Sequence, residues 1–192
     1  MIVKPNDAAV GASLSALPKT KGPPPVHLWN PPYCGEMDMR IARDGTWFHD
    51  GTPHGREGLV RLFSSILKKE GDRYFLVTPV EKVGIKVEDA PMVAVDFEVS
   101  GAGRDQVLTF HTKTGDTAVA GPDNRLRIAR KDAESEPSPY IHVRRGLEAL
   151  IDRKSFYRLI DLGVHHSHAG ESWFGLWSMG EFFPVIRSAD LT

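Results

Sequence analysis

Two consecutive segments in the middle of the chain alternate apolar and polar residues, which predicts β-strands. Residues 83–87 and 93–99 carry apolar side chains at every second position, with charged residues such as Lys86, Asp96 and Glu98 between them. A period of two is typical of a strand with one buried face. The sequence Glu88-Asp89-Ala90-Pro91 separates the segments as a turn, because proline cannot donate to a strand ladder. The middle of the chain is therefore expected to be antiparallel sheet.

Glycine turns and one amphipathic segment precede these strands. Asp44-Gly45 is a strong hairpin signal, and Asp50-Gly51 predicts a second turn. Thr52 and Pro53 suit the N-cap and first position of a helix. Apolar residues then recur at helical spacing, at Leu59, Leu62, Phe63, Ile66 and Leu67. We expect a helix over about 53–70 that ends at Gly71.

The remaining elements follow from the same patterns. Strands are expected at 37–41, 47–48, 74–77, 107–111, 126–128 and 140–144, with a closing strand pair within 173–183. Helical spacing predicts two short helices, at 147–151 and 156–160. Polar loops are expected at 112–124 and 163–172, and a short helix at 8–17 is followed by a proline-rich linker at 18–25.

A short internal similarity suggests a repeat. Residues 55–62 (GREGLVRL) resemble residues 144–150 (RRGLEAL), and each copy follows extended structure and is expected to open a helix. The predicted class is α+β, a mostly antiparallel sheet with a few helices, in two sub-structures built from a repeated strand–helix motif. The expected organisation is an N-terminal strap and linker over 1–37, an α+β subdomain over 38–100 and a second over 101–192.

Four ordered stretches together resemble a known family. They are DGTWFHDGTP with the following helix (44–63), LVTPVEKV with VEDAP (76–91), PYI with VR and GLEAL (139–150), and GLWSMG with FFP (175–184). The sequence resembles the bacterial domain-of-unknown-function family 1285. The resemblance implies a two-part α+β fold of repeated motifs and a link to signalling, and it supplies no catalytic residue. The chain departs from the family at His54, where an aliphatic residue is usual.

The bulk composition narrows the function classes. The chain has 24 basic and 25 acidic residues, and this near-neutral balance disfavours nucleic-acid binding. Its single cysteine, Cys34, cannot form an internal disulfide. No apolar run approaches the roughly 20 residues of a membrane span, and no secretion signal is evident, so we expect a cytoplasmic protein without membrane insertion. No phosphate-binding loop or dinucleotide fingerprint is present, and no cofactor is expected.

Charged groups at the turns around the predicted helix form the candidate binding site. Its members are Asp50, Thr52, Arg56, Glu81 and Lys82. Such groups could line a cleft for a small polar or anionic ligand, with backbone donors from the helix start. The alternative is structural, because Asp and Gly are common in turns and Arg56 could pair with a nearby carboxylate.

A catalytic site and a metal site are the alternatives to this binding site. Asp50 with His49 or His54 could form an acid–base pair, but the G-x-S-x-G elbow of α/β-hydrolases is absent. The histidines at 165, 166 and 168 are expected in a solvated loop, since a metal site needs three or four ligands in fixed geometry. The alternative there is a metal site that uses His166 and His168.

These observations favour a regulatory module in signalling that binds a small molecule or a protein partner, rather than an enzyme. One alternative is a small hydrolase or transferase that uses Asp50 and a nearby histidine. Another is a structural or oligomerisation module that uses exposed aromatic residues near Trp177. Such a module could assemble as a homo-oligomer.

Overall fold

The chain folds as two compact units, Met1–Pro91 and Met92–Thr192. The computed structural model describes residues 10–12, 22–130 and 135–191. Strands cover 49% of them and are the main element, with a few helices and mixed sheets, which confirms only the broad outline of the predicted class. The expected linker at 18–25 and most of the helix expected at 8–17 lie outside the described residues, although residues 10–12 are helical.

The first unit is built on one six-stranded sheet, the first sheet. Its strands are β1 (Tyr33–Ile41), β2 (Trp47–His49), β3 (Thr52–Pro53), β4 (Leu67–Glu70), β5 (Arg73–Val77) and β6 (Lys82–Val87). Their spatial order is β3-β2-β1-β6-β5-β4. The two central strands, β1 and β6, run parallel, and each neighbouring pair outside them is antiparallel.

Helix α1 (Glu57–Ser65), which connects β3 to β4, is shorter than predicted. Thr52 and Pro53 form the edge strand β3 rather than the helix start, and the N-cap is Arg56, whose side chain makes no capping hydrogen bond. The predicted last turn is instead strand β4. Gly71, with a φ of 58°, lies in the turn between β4 and β5 rather than at a helix end.

The core of the first unit lies between α1 and one face of the first sheet. Alternate residues of β1, such as Met39 and Ile41, are buried, while Arg40 between them is partly exposed. Trp47 stacks on Phe63 of α1, with ring centroids 6.2 Å apart. Trp47 is therefore a core residue, and the packing leaves the polar side chains of β1 and β6 on the opposite face.

The second unit contains a six-stranded sheet, the second sheet, with a comparable strand order. Its strands are β7 (Met92–Ser100), β8 (Val107–Thr112), β9 (Thr117–Val119), β10 (Leu126–Ala129), β11 (Ser138–Arg144) and β12 (Leu147–Ile151). Their order is β10-β11-β12-β7-β8-β9, with β7 and β12 parallel. Strand β7 pairs with β8 and β12 and belongs to the second unit.

Two sequence-based assignments in this sheet are wrong. Leu147–Ile151 is strand β12 and not a helix, so the predicted strand–helix similarity between 55–62 and 144–150 has no helix in its second copy. Within the loop expected at 112–124, Thr117–Val119 forms strand β9. In both cases cross-strand pairing, which a local pattern does not contain, determines the outcome.

A helix and a three-stranded sheet, the third sheet, complete the second unit. Helix α2 (Arg153–Ile160) is capped by Asp152, whose side chain accepts a hydrogen bond from the Ser155 backbone N–H. The third sheet has the order β13 (Val164–His168), β14 (Glu171–Ser178), β15 (Glu181–Arg187). The expected closing pair, β14 and β15, is confirmed, whereas the polar loop expected at 163–172 is mostly strand.

A buried serine joins the third sheet to the second sheet. The Ser178 hydroxyl donates to the Ala120 carbonyl at 2.7 Å and accepts from the Leu108 backbone N–H at 3.0 Å. Gln106 adds a side-chain hydrogen bond to the Trp177 carbonyl at 2.7 Å.

Within the part of the chain that the structure describes, no helix has the length and hydrophobicity that a bilayer crossing requires.

Candidate functional site

Three cationic side chains lie side by side across the outer face of the first sheet. The register pairs Arg40 of β1 with Lys86 of β6. The antiparallel register of β5 and β6 pairs Tyr74 with Ile85, which brings Arg73 to the level of Lys86. Adjacent strands lie about 4.8 Å apart, so the three side chains are close neighbours. We call Arg40, Lys86 and Arg73 the cation row.

The two outer members of the cation row are held by carboxylates and aromatic rings. Arg40 forms an ion pair with Glu88 and lies over the Phe48 ring, 4.1 Å from its centroid. Arg73 forms an ion pair with Glu36 and packs 5.4 Å from the centroid of the Tyr33 ring. These contacts fix both guanidinium groups, since an ion pair and a stacked ring restrict the same planar group.

The central member, Lys86, has no such partner. Its side chain is exposed, and no ion pair or hydrogen bond of its ammonium group is found among the described residues. It lines an open cleft of about 390 Å³ whose wall is formed by Arg40, Asp72, Arg73, Tyr74, Ile85, Lys86, Val87 and Glu88. The cleft therefore combines a cation that has no carboxylate partner with a rim of mixed charge.

A second cluster surrounds Phe75 on the same face of the first sheet. The Lys82 ammonium group lies 5.0 Å from the centroid of the Phe75 ring and 2.8 Å from the Glu70 carboxylate. Lys68 pairs with the same carboxylate at 3.0 Å. Hydrogen bonds from Lys82 and then Lys68 hold the pKa of Glu70 below its ordinary value of 4.5. Both lysines of this cluster have a carboxylate partner, unlike Lys86 of the cation row.

Gly84 explains how Glu36 reaches Arg73. Gly84 pairs with Glu36 across β1 and β6, and with Phe75 across β5 and β6. A Cβ atom on Gly84 would collide with the Glu36 carboxylate. The glycine thus leaves space for this carboxylate to lie against the sheet beside Arg73.

The structure does not bring the five predicted site residues together. Lys82 lies beside Tyr33 at the beginning of β1, whereas the backbone N–H of Asp50 bonds to Asp38, further along the same strand. Five residues of strand span about 16 Å, so Asp50 and Lys82 are far apart.

The other three predicted residues occupy separate positions. Thr52 is an exposed residue of edge strand β3, and Arg56 is exposed at the start of α1. Glu81 lies in the turn before β6, where its backbone N–H donates to the Thr78 hydroxyl at 3.1 Å. Only Lys82 belongs to a cluster on the outer face of the first sheet.

The proposed acid–base pair is present only as a long contact. The Nε2 atom of His49 lies 3.8 Å from the carboxylate of Asp50, beyond hydrogen-bonding distance. The His49 ring stacks on the His54 ring at 5.8 Å, and His54 contacts Phe63 of α1. His54 therefore places an imidazole against the core of the first unit.

The histidines of β13 contact aromatic rings rather than one another. The His166 ring lies 4.8 Å from that of Trp177 and 4.9 Å from that of Phe182, and His168 lies 5.7 Å from Phe182. Across residues 10–12, 22–130 and 135–191, no group of three or more His, Cys, Asp or Glu side chains could hold a metal ion. The alternative metal site at His166 and His168 gains no third ligand there.

Sequence reasoning missed the cation row for an identifiable reason. Arg40 and Lys86 occupy polar positions of correctly predicted strands. The alternation of apolar and polar residues in these strands therefore predicts that both side chains point away from the core. Their proximity depends on the parallel pairing of β1 with β6, which joins distant parts of the sequence. No local signal contains that pairing.

Comparisons with known proteins agree with the two-unit organisation. Two family models match: the N-terminal domain of a domain of unknown function (DUF1285) at residues 24–90, and the C-terminal domain of a protein of unknown function (DUF1285) at residues 91–185. A search of curated proteins found no match.

Two similar crystal structures come from the same family. A DUF1285 family protein from Silicibacter pomeroyi DSS-3 is 64% identical, with a TM-score of 0.86, over 95% of this chain and 97% of that chain. One from Shewanella baltica OS155 is 31% identical, with a TM-score of 0.52, over 65% of this chain and 91% of that chain. The chain described here belongs to the DUF1285 family of proteins of unknown function.

Proposed function

We propose that this chain is a binding module for a small organic anion and that the binding serves regulation rather than catalysis. The observation that carries the proposal is the position of Lys86, exposed and without a carboxylate partner, between Arg40 and Arg73. The link to signalling comes from the family resemblance. The cation row supports the binding part of the proposal.

Electrostatics favours an anion at Lys86. Like charges directly opposite each other on neighbouring strands destabilise a sheet by up to about 1 kcal/mol a pair. Glu88 and Glu36 offset the charges of Arg40 and Arg73, but no carboxylate of the described residues pairs with Lys86. An anion bound over Lys86 would relieve this repulsion and would accept charge-assisted hydrogen bonds from it.

The cleft also restricts the ligand. Its volume of about 390 Å³ falls at the lower end of the usual range for small-molecule sites. Asp72 and Glu88 place negative charge at the rim. These rim carboxylates oppose polyanions such as nucleic acids, so the preferred ligand carries one anionic group on a compact body.

A thermal-shift screen tests the proposal on the unaltered chain. Phenyl phosphate and benzoate, which carry an anionic group on an aromatic ring, are expected to raise the melting temperature with increasing concentration. Benzamide, which has the ring without the charge, is expected to leave it unchanged. Equal stabilisation by benzamide, or no stabilisation by either anion at millimolar concentration, would contradict the proposal.

A further inference from the structure

The side chain of His142, on β11, joins two loops of the second unit. Its Nε2 atom accepts a hydrogen bond from the Gly146 backbone N–H at 3.0 Å, in the turn between β11 and β12. Its Nδ1 atom lies 3.2 Å from the Asp123 carbonyl, in the loop before β10. The imidazole therefore bridges the β11–β12 turn and the loop at residues 120–125.

The surrounding hydrogen bonds assign the proton of this ring. A backbone N–H can only donate, so the bond from Gly146 requires an unprotonated Nε2 atom. The Asn124 amide group donates to the carbonyls of His142 at 2.8 Å and Val143 at 2.9 Å, which uses both of its hydrogens. The Nδ1 atom consequently carries the ring proton and donates it to the Asp123 carbonyl. The bridge is complete only in the neutral ring with its proton on Nδ1.

The turn that donates to His142 has an uncommon backbone. Arg145 and Gly146 have φ values of 47° and 76°, and positive φ at both central residues is typical of a type I′ hairpin turn. This conformation is unfavourable for arginine, because its Cβ atom crowds the backbone. The pairing of β11 with β12 also shifts register between His142 and Arg144. The hydrogen bond to the imidazole therefore supports a turn that carries local backbone strain.

We propose that His142 is a proton-sensitive switch between the β11–β12 turn and the loop at residues 120–125. Protonation places an N–H at Nε2 that faces the Gly146 N–H, and two donors cannot share a hydrogen bond. The turn then loses this bond and opens locally, whereas Nδ1 keeps its bond to Asp123. Imidazoles gain their second proton between about pH 8 and about pH 5, so the switch opens as the pH falls through that range. The switch lies in the second unit and does not depend on the function proposed for the cation row.

Charged groups from several segments surround the imidazole. Glu148 of β12 is the direct cross-strand neighbour of the histidine, and Arg127 of β10 pairs with its carboxylate at 2.6 Å. Arg144, past the register shift on β11, pairs with Asp116 at 3.1 Å. The adjoining segments also carry the charged side chains of Asp123, Arg125 and Arg145. Acidic and basic groups are nearly balanced there, so the response to pH follows from hydrogen-bond geometry and not from a local field.

Nuclear magnetic resonance on the full chain tests the proposal. At about pH 8 the nitrogen shifts of the His142 ring are expected to place its proton on Nδ1. As the ring takes up its second proton, solvent exchange of the Gly146 amide, corrected for the intrinsic effect of pH, should rise roughly fivefold with the same midpoint. A neutral ring protonated at Nε2, or Gly146 exchange that does not follow the ring titration, would overturn the proposal.

Two histidine variants provide the matched comparison. Glutamine is polar but does not titrate in this range, so in His142→Gln the corrected exchange of the Gly146 amide should lose its dependence on pH. His165→Gln removes an exposed histidine of β13 that contacts Phe174 and Ser188, and it should keep the profile of the unaltered chain. A pH dependence that survives in His142→Gln, or that disappears in His165→Gln, would show that another group controls the turn. The measurements on the unaltered chain decide the question even where a variant does not fold.

Discussion

The carboxylate of Glu36 lies against Gly84, in the space that the Cβ atom of any other residue would fill. From this position it forms an ion pair with Arg73. A bound anion must therefore compete with Glu36 for the Arg73 guanidinium group. Gly84 thus helps to set the charge available to the cation row.

Removing that competition is expected to strengthen anion binding. In Glu36→Gln the Arg73 guanidinium loses its carboxylate partner, and the dissociation constant for phenyl phosphate should fall by roughly two- to fivefold. Gly84→Ala should act in the same direction because the new methyl group displaces the Glu36 side chain. Calorimetric titration measures the dissociation constant for phenyl phosphate in both variants. The control is Glu171→Gln, which removes an exposed ion pair of the second unit. Weaker binding in both test variants would contradict the competition.

Ser178 is expected to be a strong determinant of stability in the second unit. In Ser178→Ala the buried Leu108 N–H and Ala120 carbonyl each lose a hydrogen bond, which should cost about 2 kcal/mol or more of unfolding free energy. Ser172→Ala, which removes an exposed hydroxyl, should cost less than about 0.5 kcal/mol. Urea denaturation compares the two variants. Equal losses would show that the buried hydrogen bonds contribute little.

The two helix starts should respond differently to alanine. Asp152 accepts a hydrogen bond from the Ser155 N–H at 2.8 Å, and Asp152→Ala is expected to cost about 1 kcal/mol. The Arg56 side chain makes no capping hydrogen bond, so Arg56→Ala should change the unfolding free energy by less than about 0.5 kcal/mol. Denaturation of both variants provides the measurement. A loss at Arg56 as large as that at Asp152 would reveal an interaction at the start of α1 beyond capping.

Glu70 is expected to make part of the stability dependent on acid pH. The pKa of its carboxyl is lowered by Lys82 and then Lys68, so its stabilisation is fully present above its ordinary pKa of 4.5. It is lost as the pH falls through the lower pKa of the folded state. The group is partly exposed, so the effect should stay below about 1 kcal/mol. The difference in unfolding free energy between the unaltered chain and Glu70→Gln should shrink from pH 6 to pH 3. A constant difference would contradict the ion pairs.

Local patterns predicted most strands but misjudged segments whose residues fit two periods. Leu147, Leu150 and Ile151 have helical spacing, yet Leu147, Ala149 and Ile151 also alternate and are buried in β12. Within five residues the two periods cannot be distinguished, and pairing with β7 and β11 decides for the strand. The apolar stripe predicted for α1 includes Leu67 for the same reason. That residue fits the helical spacing, but the structure buries it in strand β4.

The candidate site was less predictable than the fold. Turn chemistry directed attention to Asp50 and Thr52, which the structure places at the exposed edge of the first sheet. The cation row instead depends on the register between β1 and β6. That register follows from tertiary pairing, and a single sequence does not specify it. Lys82 was selected from the sequence and does contribute to the outer face, through Glu70 and Phe75.

Calorimetric titration of phenyl phosphate into Lys86→Gln tests the central claim most directly. Loss of a charged hydrogen-bond donor to the anion should weaken binding roughly tenfold or more relative to the unaltered chain. Lys113→Gln, which removes an exposed lysine from the second unit, should bind as the unaltered chain does. Equal affinity in Lys86→Gln and Lys113→Gln would contradict the account.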